Sequence, residues 1–358
     1  MELRKKIGKI VDPDLGVSLN DLEAIHSIEI DGRKVKVYLK LVQPLHLVAR
    51  TLDDQVRDAV QKVAPEAAVQ VFVQEHAPEQ KLSNPHLREV KNLIAVASGK
   101  GGVGKSTLAS NLAAALAKQG ASVGLLDADV HGPSAPTMFG LQDEPLKAGK
   151  REDGTMIGYP HERHGVKLAS IGFVMGRDQA AVMRGPMQAG YFSTLFEQIE
   201  WGPLDYLIFD LPPGTGDIQL TLSQKIPLTG AVIVTTPQDI SLADVRRGIA
   251  MFKKVNVGIL GVIENMSYYN CPKCGHREDI FSHGGGDHIA RELDVPFLGE
   301  LPLSTPVREG GDNGMPVVLN KSAKAEAEAI EKLAAAVTAG TRRANLAAMQ
   351  TPTVQISL

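Results

Sequence analysis

Cysteine is nearly absent from this chain. Only Cys271 and Cys274 occur among 358 residues, both within one Cys-Pro-Lys-Cys segment. A secreted scaffold built on disulfides is thereby excluded. Excess positive charge is missing too: the formal net charge is -3. A strongly basic face is not the default, and no nucleic-acid partner is expected. Long apolar runs are lacking, so no segment reaches the roughly 20 residues of a membrane span, and no membrane association is expected. Arg4, Lys5, Lys6 and Lys9 lie near the N-terminus, but no apolar stretch of the secretory kind follows them. The expected location is cytoplasmic. Internal repeats and low-complexity tracts are also absent. What remains is the mix of a globular protein, 43% hydrophobic and 22% charged, long enough for two domains.

The pattern along the chain supports that division. Residues 1–76 predict a small α+β domain. A short helix over Leu3–Ile10 is followed by two alternating stretches, His26–Ile30 and Lys34–Leu41, joined at Asp31-Gly32. A helical pattern through Leu52, Val56, Val60 and Val63 and an apolar strand, Val69–Val73, complete it. Residues 77–91 are polar, carry Pro78 and Pro85, and predict a linker. Over 92–340, apolar strands alternate with helices: Leu93–Ser98, Ser122–Asp127, Lys167–Phe173, Asp205–Asp210, Ala231–Thr235, Val257–Glu264 and Val295–Leu301. Near-continuous apolar runs of this kind predict a doubly wound α/β fold with a mostly parallel sheet. An Ala-rich helix with Ile330, Leu333 and Val337 on one face closes the domain, with Gly340 as its expected cap. Residues 341–358 are expected to form a mobile tail.

The clearest chemistry lies in Gly99-Lys100-Gly101-Gly102-Val103-Gly104-Lys105-Ser106, continued by Thr107. It matches the phosphate-binding pattern G-x-x-x-x-G-K-[ST] between a predicted strand and a predicted helix. The glycines let backbone N–H groups wrap the phosphates, and the helix N-terminus adds partial positive charge. Lys105 is expected to reach the β- and γ-phosphates of ATP, and Ser106 to ligate Mg²⁺. Lys100 is a second lysine in the same loop. It either reaches across a dimer interface to a partner's nucleotide or is a solvated surface lysine, and the loop alone leaves both open.

Carboxylates follow at strand ends, where open α/β sheets place their ligands. Asp127 and Asp129 end one strand, and Asp210 ends another before Leu211-Pro212-Pro213-Gly214-Thr215-Gly216. Asp210 suits Mg²⁺ coordination in the second sphere, Asp129 is expected to position the attacking water, and Gly214 to offer an N–H to the γ-phosphate. A strand-end Asp on its own is more often a cap or turn residue; three of them around a phosphate loop point to function.

Cys271-Pro272-Lys273-Cys274-Gly275-His276 supplies half of a four-ligand metal site. Three readings compete: a zinc ion or cluster bridging two chains, a zinc site completed by His276 and His283, and a redox dithiol. The helix N-terminus typical of a redox pair is missing, and the histidine spacing lies outside the usual zinc range. Spacing alone does not separate zinc from iron–sulfur.

Taken together, several stretches resemble the Mrp-type subgroup of iron–sulfur carrier P-loop ATPases, relatives of the MinD/ParA and nitrogenase iron-protein group. They are Ser98–Thr107, Leu126–Ser134, Arg184-Gly185-Pro186-Met187, Asp210–Asp217, Thr236-Pro237-Gln238-Asp239, and Glu264-Asn265-Met266-Ser267 leading into the cysteines. The resemblance implies that Lys100 acts across a homodimer, that Asp129 lies in the first switch and Asp210–Gly214 in the second, and that Asn265 reads the adenine edge with Pro302 near the base. It further implies that Cys271 and Cys274 hold a [4Fe–4S] cluster jointly with the partner's pair. The implied activity is ATP-dependent carriage of that cluster from a scaffold or donor to apo iron–sulfur client proteins. Residues 1–76 resemble the iron–sulfur assembly domain often fused ahead of such ATPases, with Asp12-Pro13-Asp14 matching its early motif. That family often has a cysteine in the loop read here as Val42-Gln43-Pro44-Leu45-His46-Leu47. His46 stands near the expected thiol, and His131 stands where the ATPase family commonly has tyrosine. A MinD/ParA-like positioning switch and a zinc-bridged dimeric ATPase are the alternative readings. A membrane-bound switch should end in a basic amphipathic helix, but only Arg342 and Arg343 are basic near this C-terminus.

Overall fold

A computed structural model of the chain describes residues 2–78, 84–129, 132–151, 154–174, 195–214, 220 and 226–350. The Arg184–Met187 stretch, His131, Thr215–Asp217 and residues 351–358 lie outside the described residues. The chain divides into two compact units, residues 1–80 with 338–358, and residues 81–337.

In the first unit, strands β1 (Ile25–Asp31) and β2 (Lys34–Val42) form an antiparallel hairpin, with Asp31 paired to Lys34. Strand β3 (Ala68–His76) lies parallel to β2. The crossover between them contains the helix Ala49–Gln61, which buries Leu52, Val56 and Val60 at four-residue spacing. These pack with Ile7, Leu19, Val37, Leu39 and Leu41, all essentially inaccessible to solvent.

The second unit holds an eight-stranded sheet. Its strands in chain order are β4 (Val90–Ser98), β5 (Val123–Asp127), β8 (His161–Arg163), β9 (Val166–Ser170), β10 (Leu204–Asp210), β11 (Gly230–Thr235), β12 (Ile259–Glu264) and β15 (Phe297–Glu300). Their spatial order is β15-β12-β11-β4-β10-β5-β9-β8. All neighbours pair in parallel except β8, an antiparallel edge strand on β9. Two short pairs lie outside it, β6 (Lys147–Lys150) with β7 (Met156–Tyr159), and β13 (Tyr269–Asn270) with β14 (Arg277–Glu278). The seven strands expected from sequence are present. The strand expected over Lys167–Phe173 stops at Ser170, where the Ser170 hydroxyl accepts from the Gly172 N–H and starts a tight turn over Ile171–Phe173. Among the described residues, no helix is long and apolar enough to cross a membrane.

The C-terminus departs from expectation. The last helix runs over Lys324–Gln350, so Gly340 does not cap it and residues 341–350 are not a tail. From Thr338 onward the helix belongs to the first unit, and Thr341 and Arg342 have no solvent exposure. Arg342 is held by the very motif the sequence singled out. Its guanidinium donates to Asp12 Oδ2 at 2.6 Å, to Asp12 Oδ1 and Asp14 Oδ2 at 2.8 Å, and to the Val42 carbonyl at 2.9 Å. Asn345 Nδ2 adds a bond to the Gln43 carbonyl, 3.0 Å. Both arginines fall in the stretch expected to be a tail, but Arg342 faces buried carboxylate and carbonyl oxygens, while Arg343 donates to the Asp14 carbonyl at the surface.

Removing one member of a buried ion pair leaves the other uncompensated, at about 3–5 kcal/mol. Arg342→Ala is therefore expected to destabilise the first unit by about that amount, whereas a solvated tail arginine would be neutral. Amide hydrogen exchange across residues 2–76 in the full-length protein measures this directly, and protection should fall there while residues 90–127 keep theirs.

Candidate functional site

The sheet register assembles the site. Asp210, the last residue of β10, is paired with Asp127, the last residue of β5, and with Val96 of β4 on its other side. Strand β4 ends at Ser98, and the chain then passes through the glycine-rich loop into the helix Lys105–Lys118. Phosphate loop and carboxylates thus lie at the carboxyl ends of three adjacent strands.

Two glycines in the loop are sterically required. Gly104 precedes the helix at φ 82°, a left-handed conformation, and a Cβ there would collide with the Asn265 amide. Gly99 sits against the backbone of Asp244, on the helix Asp239–Lys254, with no room for a side chain. Asn265 fastens the loop from the end of β12: its Nδ2 donates to the Val103 carbonyl at 2.9 Å, and its N–H donates to Thr235 O at 2.8 Å. Ser98 Oγ donates to the Lys100 carbonyl at 2.9 Å.

Lys105 is the electrostatic centre. Its Nζ lies 2.5 Å from Asp210 Oδ1, 3.6 Å from Asp129 Oδ2 and 3.1 Å from Ser106 Oγ. One cation therefore stands among buried carboxylates. Asp127 joins them from behind: its Oδ1 accepts the Asp129 N–H, and its Oδ2 accepts the Ala135 N–H and the Ser170 hydroxyl, each at 3.1 Å. Burial and then the charge of Asp210 push the Asp127 carboxyl up to about 7, against the opposing pull of Lys105 and the two N–H donors. Asp210 is raised as well, by burial, with Lys105 opposing. Its Oδ2 is buried and has no hydrogen-bond partner among the described residues.

The predicted residues thus divide. Gly99, Lys100, Gly101, Gly102, Val103, Gly104, Lys105, Ser106, Thr107, Asp129 and Asp210 gather at one sheet end. The Lys100 side chain is half-buried and has no ion-pair partner among the described residues. The Gly214 N–H donates to the Ser98 carbonyl at 2.9 Å, so offering it to a phosphate requires exchanging that bond. Pro302 follows Leu301, whose N–H donates to Glu264 O at 2.8 Å, and this places it beside the β12 end that carries Asn265.

The cysteines occupy the turn between β13 and β14. The Cys271 N–H donates to the His276 carbonyl at 2.9 Å, and the Gly275 N–H returns to the Cys271 carbonyl at 2.8 Å. Both thiols are free, Cys274 exposed and Cys271 partly so. The N–H groups of Cys274 and Lys273, with the Cys274 thiol, hold the Cys271 thiol below its usual range. His283 Nε2 lies 2.6 Å from Glu300 Oε2, so its partner is a carboxylate rather than a role completing the cysteine pair. In the sequence Asp127 stands only as one of three strand-end carboxylates and Glu264 only as the first residue of a matched stretch, neither with a specific role. A charged residue in the apolar strand Ile259–Glu264 was the available signal. Glu264 is fully buried and accepts the N–H groups of Gly284 and Gly286 at 3.0 and 2.5 Å.

Comparison with known proteins agrees with this geometry. Residues 89–338 match the family described as NUBPL iron-transfer P-loop NTPase, and residues 2–73 match the iron–sulfur cluster assembly protein family. An iron–sulfur cluster carrier protein of Synechocystis is 45% identical over 91% of this chain and 93% of its own. The Escherichia coli K12 protein of the same description is 43% identical over 86% and 83%. Among solved structures, a nucleotide-binding protein from Archaeoglobus fulgidus, in complex with ADP and with cobalt present, has a TM-score of 0.57. It is 39% identical over 65% of this chain and 90% of its own. The cell-division ATPase MinD of Pyrococcus furiosus shares the fold, with a TM-score of 0.52 at 23% identity over 69% of this chain and 98% of its own.

The carboxylate cluster carries a pH signature. Asp127 is a weaker acid in the folded protein than in the unfolded chain, so the folded state binds more protons than the unfolded one between 3.8 and about 7. Its contribution to stability therefore falls as pH rises through that window. Asp127→Asn, which cannot ionise, is expected to gain stability relative to wild type over the same rise. Urea unfolding midpoints of both nucleotide-free proteins, measured across this range, check the sign.

Proposed function

The chain belongs to the NUBPL iron-transfer P-loop NTPase family, and from that premise we propose that it hydrolyses ATP and carries a [4Fe–4S] cluster between the subunits of a homodimer for transfer to apo client proteins. One observation carries this reading. The strand end that fastens the phosphate loop through Asn265 leads within six residues to the first thiol of the cysteine turn. Nucleotide contacts and cargo ligands thus share one chain segment.

In this reading Lys105 exchanges its carboxylate partners for the β- and γ-phosphate oxygens, a strong trade because the phosphates carry more charge. Release from Lys105 leaves Asp129 as an acceptor that orients water toward the γ-phosphorus, while the bond from that phosphorus to the β–γ bridging oxygen breaks, giving ADP and inorganic phosphate. Ser106 and the unpartnered Asp210 Oδ2 form the hard-oxygen donor set that suits Mg²⁺, directly or through water, and the ion would neutralise charge on the β- and γ-oxygens. Lys100 acts on the partner's nucleotide in the transition state. A [4Fe–4S] cluster takes four thiolates, each chain owns two, and a twofold contact supplies the rest. The low range of the Cys271 thiol favours the thiolate that ligation needs.

Two outcomes are expected. Lys100→Ala should retain ATP binding and lower turnover by up to about 10³-fold, the worth of a transition-state cation supplied in trans. Dimers mixing this variant with Lys105→Ala subunits should recover turnover at the site whose partner supplies Lys100. After anaerobic reconstitution, wild type should hold about four irons per dimer, and Cys271→Ser with Cys274→Ser should hold none while still binding ATP. Iron retained by the double variant would refute the bridging cluster.

A further inference from the structure

We propose that Arg277 and Glu300 form the anchor that fixes the cysteine turn in place, a positioning role that rests on the carrier reading above. The ladder carrying the turn is two residue pairs long, Tyr269 with Glu278 and Asn270 with Arg277. A hairpin of that size is not stable by itself in water, so something else must hold the thiols. At its base, a backbone bond joins Leu303 N–H to Tyr268 O at 2.7 Å. Past that point, Arg277 makes the only ion pair from residues 270–278 to a strand of the sheet, among the described residues.

Arg277 follows the turn directly and is held on three sides, its Nε donating to the neighbouring Asp279 Oδ1 at 3.2 Å. Its guanidinium lies over the Tyr268 ring, 4.0 Å from the centroid, and its Nη2 lies 3.7 Å from Glu300 Oε1. Glu300 is the end residue of β15 and is itself held: His283 Nε2 lies 2.6 Å from its Oε2 and Ser267 Oγ 3.0 Å. Ser267 Oγ also lies 2.5 Å from Glu264 Oε1, and Glu264 is pinned by two backbone N–H groups. The anchor therefore has a rigid root. Glu264, His283 and Glu300 also have the composition of a cation site. The Glu264 oxygens already accept N–H and O–H donors, however, so the cluster is a fastening.

A loose turn uncovers the partly buried Cys271 thiol and separates the pair, which speeds both chemical attack and loss of a shared cargo. The experiment uses the full-length chain. The reduced, metal-free protein is reacted with an aromatic disulfide reagent, and the reconstituted protein is challenged with an iron chelator. Arg277→Ala and Glu300→Gln are expected to react several-fold faster at the two thiols and to lose iron several-fold faster, with ATP turnover unchanged. Arg277→Lys keeps the charge over Tyr268 and beside Glu300, and should return both rates toward wild type. Wild-type thiol rates in Arg277→Ala and Glu300→Gln would overturn the anchor, as would an Arg277→Lys protein as fast as the alanine variant. Arg277 is on the surface, so its variants test the anchor even should Glu300→Gln fail to fold. Wild-type protein that binds no iron would defeat the carrier reading alone, because the thiol rates would still decide the anchor.

Discussion

Asp127 and Asp210 stand side by side because β5 and β10 run parallel in register to their last residues. Two buried carboxylates at that distance repel, and burial penalises the charge of each. The arrangement is tolerable only because Lys105 enters from the third strand's loop and donates to Asp210. The ion cluster is thus less a source of stability than a constraint on everything around it. The loop must bring Lys105 in at one height, so Gly104 must take a left-handed turn and Asn265 must lie tight against it. Asp127 must have donors on both oxygens, which fixes the backbone at Asp129 and at Ala135. A site strained in this way is primed for a ligand that rearranges its charges, as a polyphosphate would.

Much of this was legible beforehand, for physical reasons. A parallel sheet covered on both faces needs continuous apolar strands, and those runs stand out in any window of sequence. The phosphate loop is legible because wrapping a phosphate with backbone demands glycines at fixed places. What sequence missed was whatever depends on partners distant along the chain. The antiparallel strand β8 is three residues long and has no apolar run of its own. Arg342 looked solvated because its partners, Asp12 and Asp14, lie 330 and 328 residues away.

The same distinction separates residue roles within the site. Lys105 and Asp210 were readable from local motifs. Asp127 was visible as a strand-end carboxylate, but its use differs from that of its neighbours. It contacts backbone N–H groups and Ser170, and so shapes the loop that presents Asp129. Asn265 shows the converse. The resemblance implies contact with adenine, while the geometry gives its amide a bond to the Val103 carbonyl. The two uses are compatible in one side chain, since the amide offers two N–H donors and an acceptor oxygen.

The Asn265 bond to Val103 gives the site a direction of influence. Val103 belongs to the loop that would wrap the phosphates, and Asn265 sits one residue after Glu264, whose carboxylate ties Ser267 and the start of the helix Gly285–Glu292. Displacing the phosphate loop therefore pulls on a residue whose neighbours are already saturated with hydrogen bonds. Such a junction does not yield gradually, because losing one buried bond costs the full desolvation of its partner. It holds or it exchanges partners, which is the behaviour that the proposed coupling of bound nucleotide to the cysteine turn requires.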